Sequence, residues 1–352
     1  MRGVLLPRCD WSKPRRASKV VLKKSRCPAH RLFFLSMNSL AHSGSPQSSM
    51  TTKPYWVLAL SLLGISFAGP LVRLSSADPV AIAVWRLGFS LLIVAVFLGV
   101  TREWRDWSRI TSRELALAAA GGVSLALHFW AWNASIHLTT IAASVTLVNL
   151  QPAVVAVISA VALKEAPTGR QVMGIGIAIL GALVVAAPDL KGGMAPSGNA
   201  PLLGNLLATS AAVTAAIYYT IGRSLRRSLG VWAYVAIVYS TAFVTLSVVA
   251  VSRGISLVPQ PPREIAIFAG LALGPMLLGH TGMNWALKFL PAYVVNLTVL
   301  GEPVGATVLG VLIPSIHQIP TIPTLVGGTI VLGGVIIAAG ARRTTAPQTA
   351  DH

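Results

Sequence analysis

The stretch HFWAWNA, His128 to Ala134, recurs in altered form as HTGMNWA, His280 to Ala286. About one membrane-spanning length after each copy stands a polar residue followed by proline, Gln151-Pro152 in the first half and Glu302-Pro303 in the second. Two further glycines close each copy, Gly174 and Gly181 in the first, Gly327 and Gly334 in the second. The same landmarks in the same order, in a largely apolar chain, indicate two related halves of one membrane protein.

Composition places the chain in the membrane class. Of its 352 residues 54% are hydrophobic and 11% are charged, with a mean hydropathy of +0.70, whereas soluble domains carry about 25% charged residues. The net charge of +18 does not indicate a nucleic-acid partner, because eleven of the 28 lysines and arginines lie in residues 1–54 and no basic helix with interleaved aromatic residues follows. The two cysteines, Cys9 and Cys27, also lie there. They predict neither a disulfide framework nor a metal site, and no cofactor is expected.

Residues 1–54 form a basic segment that is expected to be disordered. Its longest apolar run, Leu32 to Leu35, is shorter than the roughly 7 to 15 residues of a secretory signal core. A basic cytoplasmic tail, an organelle targeting segment and translated sequence upstream of the true start remain open. The third interpretation is slightly favoured, because Met50 directly precedes the first apolar run.

Beyond residue 54 the sequence predicts an all-α polytopic membrane protein. A helix needs about 20 apolar residues to cross the hydrocarbon, and ten such runs follow one another. They are residues 55–74, 79–100, 115–136, 140–163, 169–188, 201–222, 230–251, 265–287, 292–313 and 322–341. We therefore predict a first repeat of five spans over 55–188, a second over 201–341 and a C-terminal tail over 342–352.

The distribution of basic residues predicts the orientation. Twelve lysines and arginines lie in the loops on one side of the predicted bundle and four on the other, and positively charged short loops stay in the cytoplasm. Both termini are then cytoplasmic. Five spans in each half make the second half inverted relative to the first, the design of many secondary transporters.

Gln151 and Glu302 are predicted near the middle of the membrane. Gln151 lies 12 residues into the fourth span, about 18 Å deep, and Glu302 lies ten residues into the ninth, about 15 Å deep. The proline after each removes a backbone hydrogen bond and kinks or breaks the helix. Broken helices with a polar side chain at mid-membrane depth commonly form transporter sites. The alternative is that the prolines only shape the bundle and Gln151 caps a freed carbonyl.

Arg86 is a basic residue well inside a predicted run, whereas Arg73 and Arg170 each lie one position from the end of theirs. Arg86 lies about 10 Å from the outer edge of the second span, so its side chain can extend to the interface. Alternatively, it faces the cavity, where it binds an anionic group or pairs with Glu302.

His128 and His280 occupy matching places in the third and eighth spans. A histidine in a membrane helix commonly bonds to a neighbouring helix, and a paired arrangement also favours a substrate site. Five nearby residues could line that site: Trp130, Trp132, Asn133, Asn284 and Trp285. All of them except Trp130 are among the nine predicted site residues. Weaker candidates are Tyr218, Tyr219, Asn149 and Asn296, and the aromatic residues among these have packing or interfacial anchoring as the alternative.

Five segments resemble the EamA domains of the drug/metabolite transporter superfamily. They are Trp85-Arg86, Asn133-Ala134 to Gln151-Pro152, Leu163-Lys164-Glu165 with the following Gly174 and Gly181, GNLLATSAAVTAAIYYTIGRSL from Gly204 to Leu225, and Trp285-Ala286 to Glu302-Pro303. The resemblance covers about residues 55–341. It implies a ten-helix inverted-repeat bundle in the cell (inner) membrane that moves small organic metabolites, commonly outward, by alternating access. Glu165 matches the family's acidic residue after the fourth span.

The sequence thus predicts a secondary transporter for a small polar or zwitterionic metabolite such as an amino acid. In this hypothesis Arg86 binds a carboxylate and Glu302 carries a proton. The partners are the lipid bilayer and a small-molecule substrate, with monomer and homodimer both open. No GxxxxGK[ST] loop for ATP is present. An intramembrane lipid-modifying enzyme and a non-transporting scaffold are the alternatives. No arrangement of catalytic residues favours the enzyme, so we predict no catalytic residues.

Overall fold

The computed structural model describes residues 53–162, 168–190, 200–290, 292–299 and 301–339, and every regular element in them is helical. The predicted disordered segment lies outside these residues apart from its last two positions, as do Glu165 and the C-terminal tail. The helices are α1 Lys53–Ser66, α2 Ala68–Leu74, α3 Pro79–Thr101, α4 Ser112–Leu138, α5 Ile141–Val148, α6 Gln151–Ala162, α7 Gly169–Leu190, α8 Pro201–Leu225, α9 Val231–Ser252, α10 Pro262–Leu271, α11 Gly282–Ala286, α12 Ala292–Val299, α13 Glu302–Leu312 and α14 Ile322–Ala339. A short 3₁₀-helix, Glu103–Arg109, precedes α4, and a π-helix, Ala272–Thr281, joins α10 to α11.

Long apolar helices dominate the described part of the chain. Six are long and apolar enough to cross a membrane: Lys53–Leu74, Pro79–Thr101, Ser112–Leu138, Pro201–Leu225, Val231–Ser252 and Pro262–Ala286. Shorter apolar helices cover the other four predicted runs, at Ile141–Val155, Val172–Val185, Glu302–Leu312 and Ile322–Gly334. The all-α polytopic class is therefore as predicted, because helices satisfy their own backbone hydrogen bonds in lipid.

Local sequence explains where several helices begin. Asp78 accepts a hydrogen bond from the Val80 amide at 2.8 Å, directly before Pro79 at the start of α3, and proline is favoured at a first helical position. Thr111 and Glu114 form a reciprocal capping box at the start of α4. Glu103 accepts from the Trp232 amide at 2.7 Å, so the 3₁₀-helix caps the free N–H groups of α9.

The proline positions coincide with two helix breaks. α5 ends at Val148 and α6 begins at Gln151, while α12 ends at Val299 and α13 begins at Glu302. In both cases the proline is the second residue of the new helix, where its missing N–H costs nothing. The kink or break predicted at Gln151-Pro152 and at Glu302-Pro303 thus coincides in each case with the start of a new helix.

Helix packing joins the two parts of the chain in matching pairs. α4 packs along α8, and the segment Ala272–Ala286 packs along α1. α3 packs on α9, and α7 crosses α14 at its glycines. A Cβ atom added to Gly181 would lie 2.6 Å from the Val331 backbone nitrogen, so this close crossing requires glycine.

Candidate functional site

A small cavity lies where helices from both predicted halves converge. Its volume is about 30 Å³, enough for one or two water molecules and far below the roughly 300 to 1,000 Å³ of a typical small-molecule pocket. The lining residues are Ile65, Ala68, Arg86, His128, Phe129, Trp132, Val148, Gln151, Tyr219, His280, Val299 and Glu302.

Six of the nine residues predicted from the sequence lie together on this cavity. They are Arg86, His128, Trp132, Gln151, His280 and Glu302. All six are buried. The other lining residues are mostly aliphatic or aromatic, so the cavity combines a few polar groups with an apolar wall, as small-molecule sites commonly do.

Arg86 is the cationic group of the cavity. Its side chain is 1% exposed and its guanidinium carbon lies 4.0 Å from the centre of the Phe129 ring, within the range of a cation–π contact. Nη2 lies 3.9 Å from the Met276 sulfur. Of the two positions considered for this residue, the structure places it at the cavity and away from the outer surface.

Gln151 and Glu302 lie at the two helix breaks, as first residues of α6 and α13. The Gln151 side-chain amide donates to Asn296 Oδ1 on α12. The Asn149 side chain, at the end of α5, lies beside the Glu302 carboxylate. Each polar residue that begins one half-helix is thus next to an asparagine of the opposite broken helix.

The two histidines face each other with ring centres 6.1 Å apart. His128 Nδ1 lies 3.0 Å from the Ala211 carbonyl oxygen. Because a carbonyl only accepts, Nδ1 is the donor, and Nε2 is an acceptor in the neutral ring. His280 Nδ1 lies 3.1 Å from the Tyr219 hydroxyl. Each histidine thus forms a hydrogen bond to a neighbouring helix, α8, which is the alternative to substrate contact given for these residues.

Asn133, Asn284 and Trp285 are absent from the residues that line this cavity. Asn133 Nδ2 donates to the Pro79 carbonyl at 3.1 Å, and Asn284 Nδ2 donates to the Tyr218 hydroxyl and to the His280 carbonyl. Trp285 packs against Phe289 with ring centres 4.5 Å apart. Asn133 and Trp285 each stand five residues after a cavity histidine, which turns them about 140° away on an α-helix.

Phe129 and Arg226 have roles that sequence reasoning did not assign. Phe129 supplies the ring that the Arg86 guanidinium contacts. In the sequence Phe129 is one more apolar residue of a membrane helix, so nothing there indicated a contact with Arg86. Arg226 follows α8, is 2% exposed and donates from Nε to the Asn284 carbonyl at 3.0 Å. Burial lowers the pKa of Arg226 to about 10. In the sequence Arg226 stands with Arg223 and Arg227 after the sixth predicted run, which indicated a basic loop in contact with water.

A set of hydrogen bonds joins two segments that are distant in sequence. Glu264, near the start of α10, accepts from the Ser76 amide and hydroxyl at 3.0 Å each and from the Ser75 hydroxyl. One turn further along α10, Phe268 stacks on Trp85, the neighbour of Arg86, with ring centres 6.2 Å apart. These contacts join the Ser75–Ser76 loop to α10, and α10 to the residue that precedes Arg86.

The described residues contain no group of three or more His, Cys, Asp or Glu arranged to hold a metal ion. The cavity itself contains one carboxylate and two histidines whose Nδ1 atoms are already engaged. Its chemistry therefore consists of hydrogen bonding, one cation and one carboxylate.

An apolar bundle of helices around a buried polar cavity is an arrangement that many membrane transport proteins share. The EamA-like transporter family matches residues 52–187 and again residues 202–340, and the chain belongs to this family. The family membership confirms the resemblance seen in the sequence. The protein is thus a multi-pass membrane transporter.

Two individual proteins extend this comparison. An archaeal protein of Archaeoglobus fulgidus, described as an uncharacterized transporter, is 26% identical over 304 residues, which cover 82% of this chain and the whole of the relative. A solved crystal structure superimposes with a TM-score of 0.58 at 17% identity, covering 82% of this chain and 96% of that one. At this identity, the similarity to the solved structure shows a shared fold alone.

Proposed function

We propose that this protein is a secondary transporter that exports a small organic metabolite, such as an amino acid, by alternating access. The substrate site is the cavity between the two broken helices. The observation that carries the proposal is the meeting of α5–α6 and α12–α13 at one buried polar cavity, with Gln151 and Glu302 at the breaks. Interrupted helices at mid-membrane depth place polar groups where a substrate can bind.

In this proposal residues 55–188 and 201–341 are two inverted five-helix repeats, and the chain crosses the membrane ten times. The family match to two consecutive segments supports the division. The matching packing pairs support the inverted relation, since α4 on α8 and Ala272–Ala286 on α1 are equivalent contacts under exchange of the halves. Four of the ten spans are then the shorter apolar helices.

The excess of basic residues in alternate loops supports an inner-membrane location with both termini in the cytoplasm. The Ser75–Ser76 loop and the start of α10 then lie on the outer side. The hydrogen bonds that Ser75 and Ser76 donate to Glu264 join these two segments, and in this proposal they break when the outer side opens. Small rigid-body movements of packed helices are sufficient for such opening.

Glu302 is the proposed proton carrier. It is a buried carboxylate at the cavity with an amide partner, and ionisable groups within membrane helices commonly belong to proton or substrate pathways. Protonation from one side and release to the other would couple the movement of the substrate to a pH gradient.

The test is a transport screen with the purified full-length chain in proteoliposomes. Vesicles are given a mixture of amino acids, amines, amides, organic acids, sugars and nucleosides, with and without a pH gradient, and their contents are measured by mass spectrometry. The proposal predicts that at least one compound crosses unchanged, faster than in protein-free vesicles. Chemical modification of a compound would favour an intramembrane enzyme, and no movement of any compound would contradict transport.

A further inference from the structure

Three N–H groups at the cavity have no acceptor among the described residues. They are Nε and Nη1 of Arg86 and the indole Nε1 of Trp132. Both side chains line the cavity and are 1% and 4% exposed, respectively. A buried donor without a partner costs free energy, and such groups in native structures usually serve a ligand, an ion or water.

All three groups are donors only, since neither a guanidinium nor an indole can accept a hydrogen bond. They come from neighbouring helices, Arg86 from α3 and Trp132 from α4. Phe129 fixes the guanidinium from α4, one turn before Trp132. A ligand that satisfies this set must therefore offer several acceptor atoms close together.

The carboxylate of the cavity does not satisfy these donors. Within the described part of the chain, the ion pair found inside 4.0 Å joins Arg263 to Glu264, and Arg86 and Glu302 do not approach that closely. Glu302 lies beside Asn149 instead. The cavity therefore presents a cation with N–H groups that lack an acceptor and a carboxylate that does not pair with it directly.

We propose that Arg86 and Trp132 form a subsite for the carboxylate group of the substrate, an inference that rests on the proposed transport function. The two oxygens of a carboxylate carry about four lone pairs, enough to accept from the guanidinium and from the indole N–H. The aliphatic side chains of Ile65, Ala68 and Val148 then contact the apolar part of the substrate.

Charge balance favours a carboxylate over a doubly charged phosphate ester. Arg86 is the one Lys or Arg side chain among the lining residues, and Glu302 shares the cavity. A dianion would leave excess negative charge in a water-poor site, which is costly. An amino acid balances the two groups, with its carboxylate at Arg86 and Trp132 and its ammonium facing Glu302 and the acceptor nitrogen of His128.

The experiment compares compounds that share a side chain and differ in the carboxylate. Alanine, leucine and phenylalanine are tested in proteoliposomes beside their amides and the corresponding amines ethylamine, isopentylamine and phenethylamine. The wild type is expected to transport at least one of the acids at least about ten-fold more efficiently than its amide and amine, the effect of losing hydrogen bonds to a charged group.

Two variants assign the preference to the proposed groups. Trp132→Phe removes the indole N–H and keeps an aromatic ring, and Arg86→Lys keeps the charge but loses the fork. Each is expected to raise the KM for the acid about ten-fold or more, with little change for the amide. The matched control is Trp130→Phe, on the same helix and outside the cavity lining, with an unchanged acid-to-amide ratio.

The ratio of acid to amide transport separates this role from a structural one, because misfolding lowers both rates together. Equal transport of acid, amide and amine by the wild type would overturn the subsite while leaving the transport function standing. An unchanged ratio in both variants would also overturn it. Failure of every compound in the broader screen would instead contradict the transport function itself.

Discussion

The side-chain amide of Gln151, at the start of α6, donates a hydrogen bond to Asn296 on α12. This bond links the break of one interrupted helix to the opposite interrupted helix, beside the cavity. Both residues are buried, so the interaction is protected from water and connects the two halves at the point where the proposed substrate site is formed.

We predict that Gln151 and Asn296 are energetically coupled. Gln151→Leu and Asn296→Leu should each lower the free energy of unfolding by about 1 to 3 kcal/mol, because each removes one partner of a buried hydrogen bond between two side-chain amides. The double variant should be less destabilised than the sum, with a coupling of about 0.5 to 3 kcal/mol. Denaturation in mild detergent measures all three. Strict additivity would show that the bond contributes nothing to stability.

Replacement of Glu302 tests proton coupling. Glu302→Gln keeps the size and hydrogen-bonding reach of the side chain but cannot release a proton, so uphill accumulation driven by a pH gradient should be lost while exchange without a gradient persists. Flux is measured in proteoliposomes at matched and unmatched pH. Glu114→Gln, at the exposed capping box of α4, should leave coupling intact. An unchanged dependence of flux on the pH gradient in Glu302→Gln would exclude the proposed role.

Glycine at the crossing of α7 and α14 is expected to be essential for packing. A Cβ at Gly181 would meet the Gly327 carbonyl oxygen at 2.7 Å, and overpacking of this kind costs about 1 to 3 kcal/mol. Gly181→Ala should therefore lower the thermal unfolding midpoint in detergent. Gly176→Ala on the same helix meets no atom within 4 Å and should be neutral or slightly stabilising. Equal midpoints for the two variants would contradict this packing account.

Glu103 is predicted to stabilise α9 from a separate element. It accepts from the amides of Trp232 and Ala233 at 2.7 and 3.3 Å, which are otherwise free N–H groups of a helix start. Glu103→Ala should cost about 0.5 to 2 kcal/mol of unfolding free energy. The exposed Arg113→Ala change serves as control. Similar stability for both variants would mean that water replaces the cap.

Much of the fold follows from hydrophobic run length and proline placement. The ten apolar runs all contain helix, and the breaks at Gln151-Pro152 and Glu302-Pro303 lie where a ring without an N–H interrupts the ladder. The π-helix Ala272–Thr281 around Pro275 was not predicted. Its wider turns depend on tertiary packing against α1, which a periodic pattern does not encode.

Prediction of the site depended on helical phase. His128 and Trp132 are four residues apart and share a face, whereas Asn133 turns away. Asn284 follows His280 by four residues, as Trp132 follows His128, yet the Asn284 side chain donates a hydrogen bond to the Tyr218 hydroxyl on α8. No single-helix rule anticipates that contact, because it depends on how two distant helices pack.

In the proposed transport cycle one cavity is reached alternately from the two sides of the membrane, and labelling of a Val148→Cys variant measures this access. Val148 is buried and lines the cavity, and Cys9 and Cys27 are first replaced by serine to leave one thiol. A membrane-impermeant thiol reagent is added either outside or inside oriented vesicles. Alternating access predicts that the thiol is labelled from each side and that a transported compound slows this labelling. Labelling from one side only, or only by a lipid-soluble reagent, would contradict it.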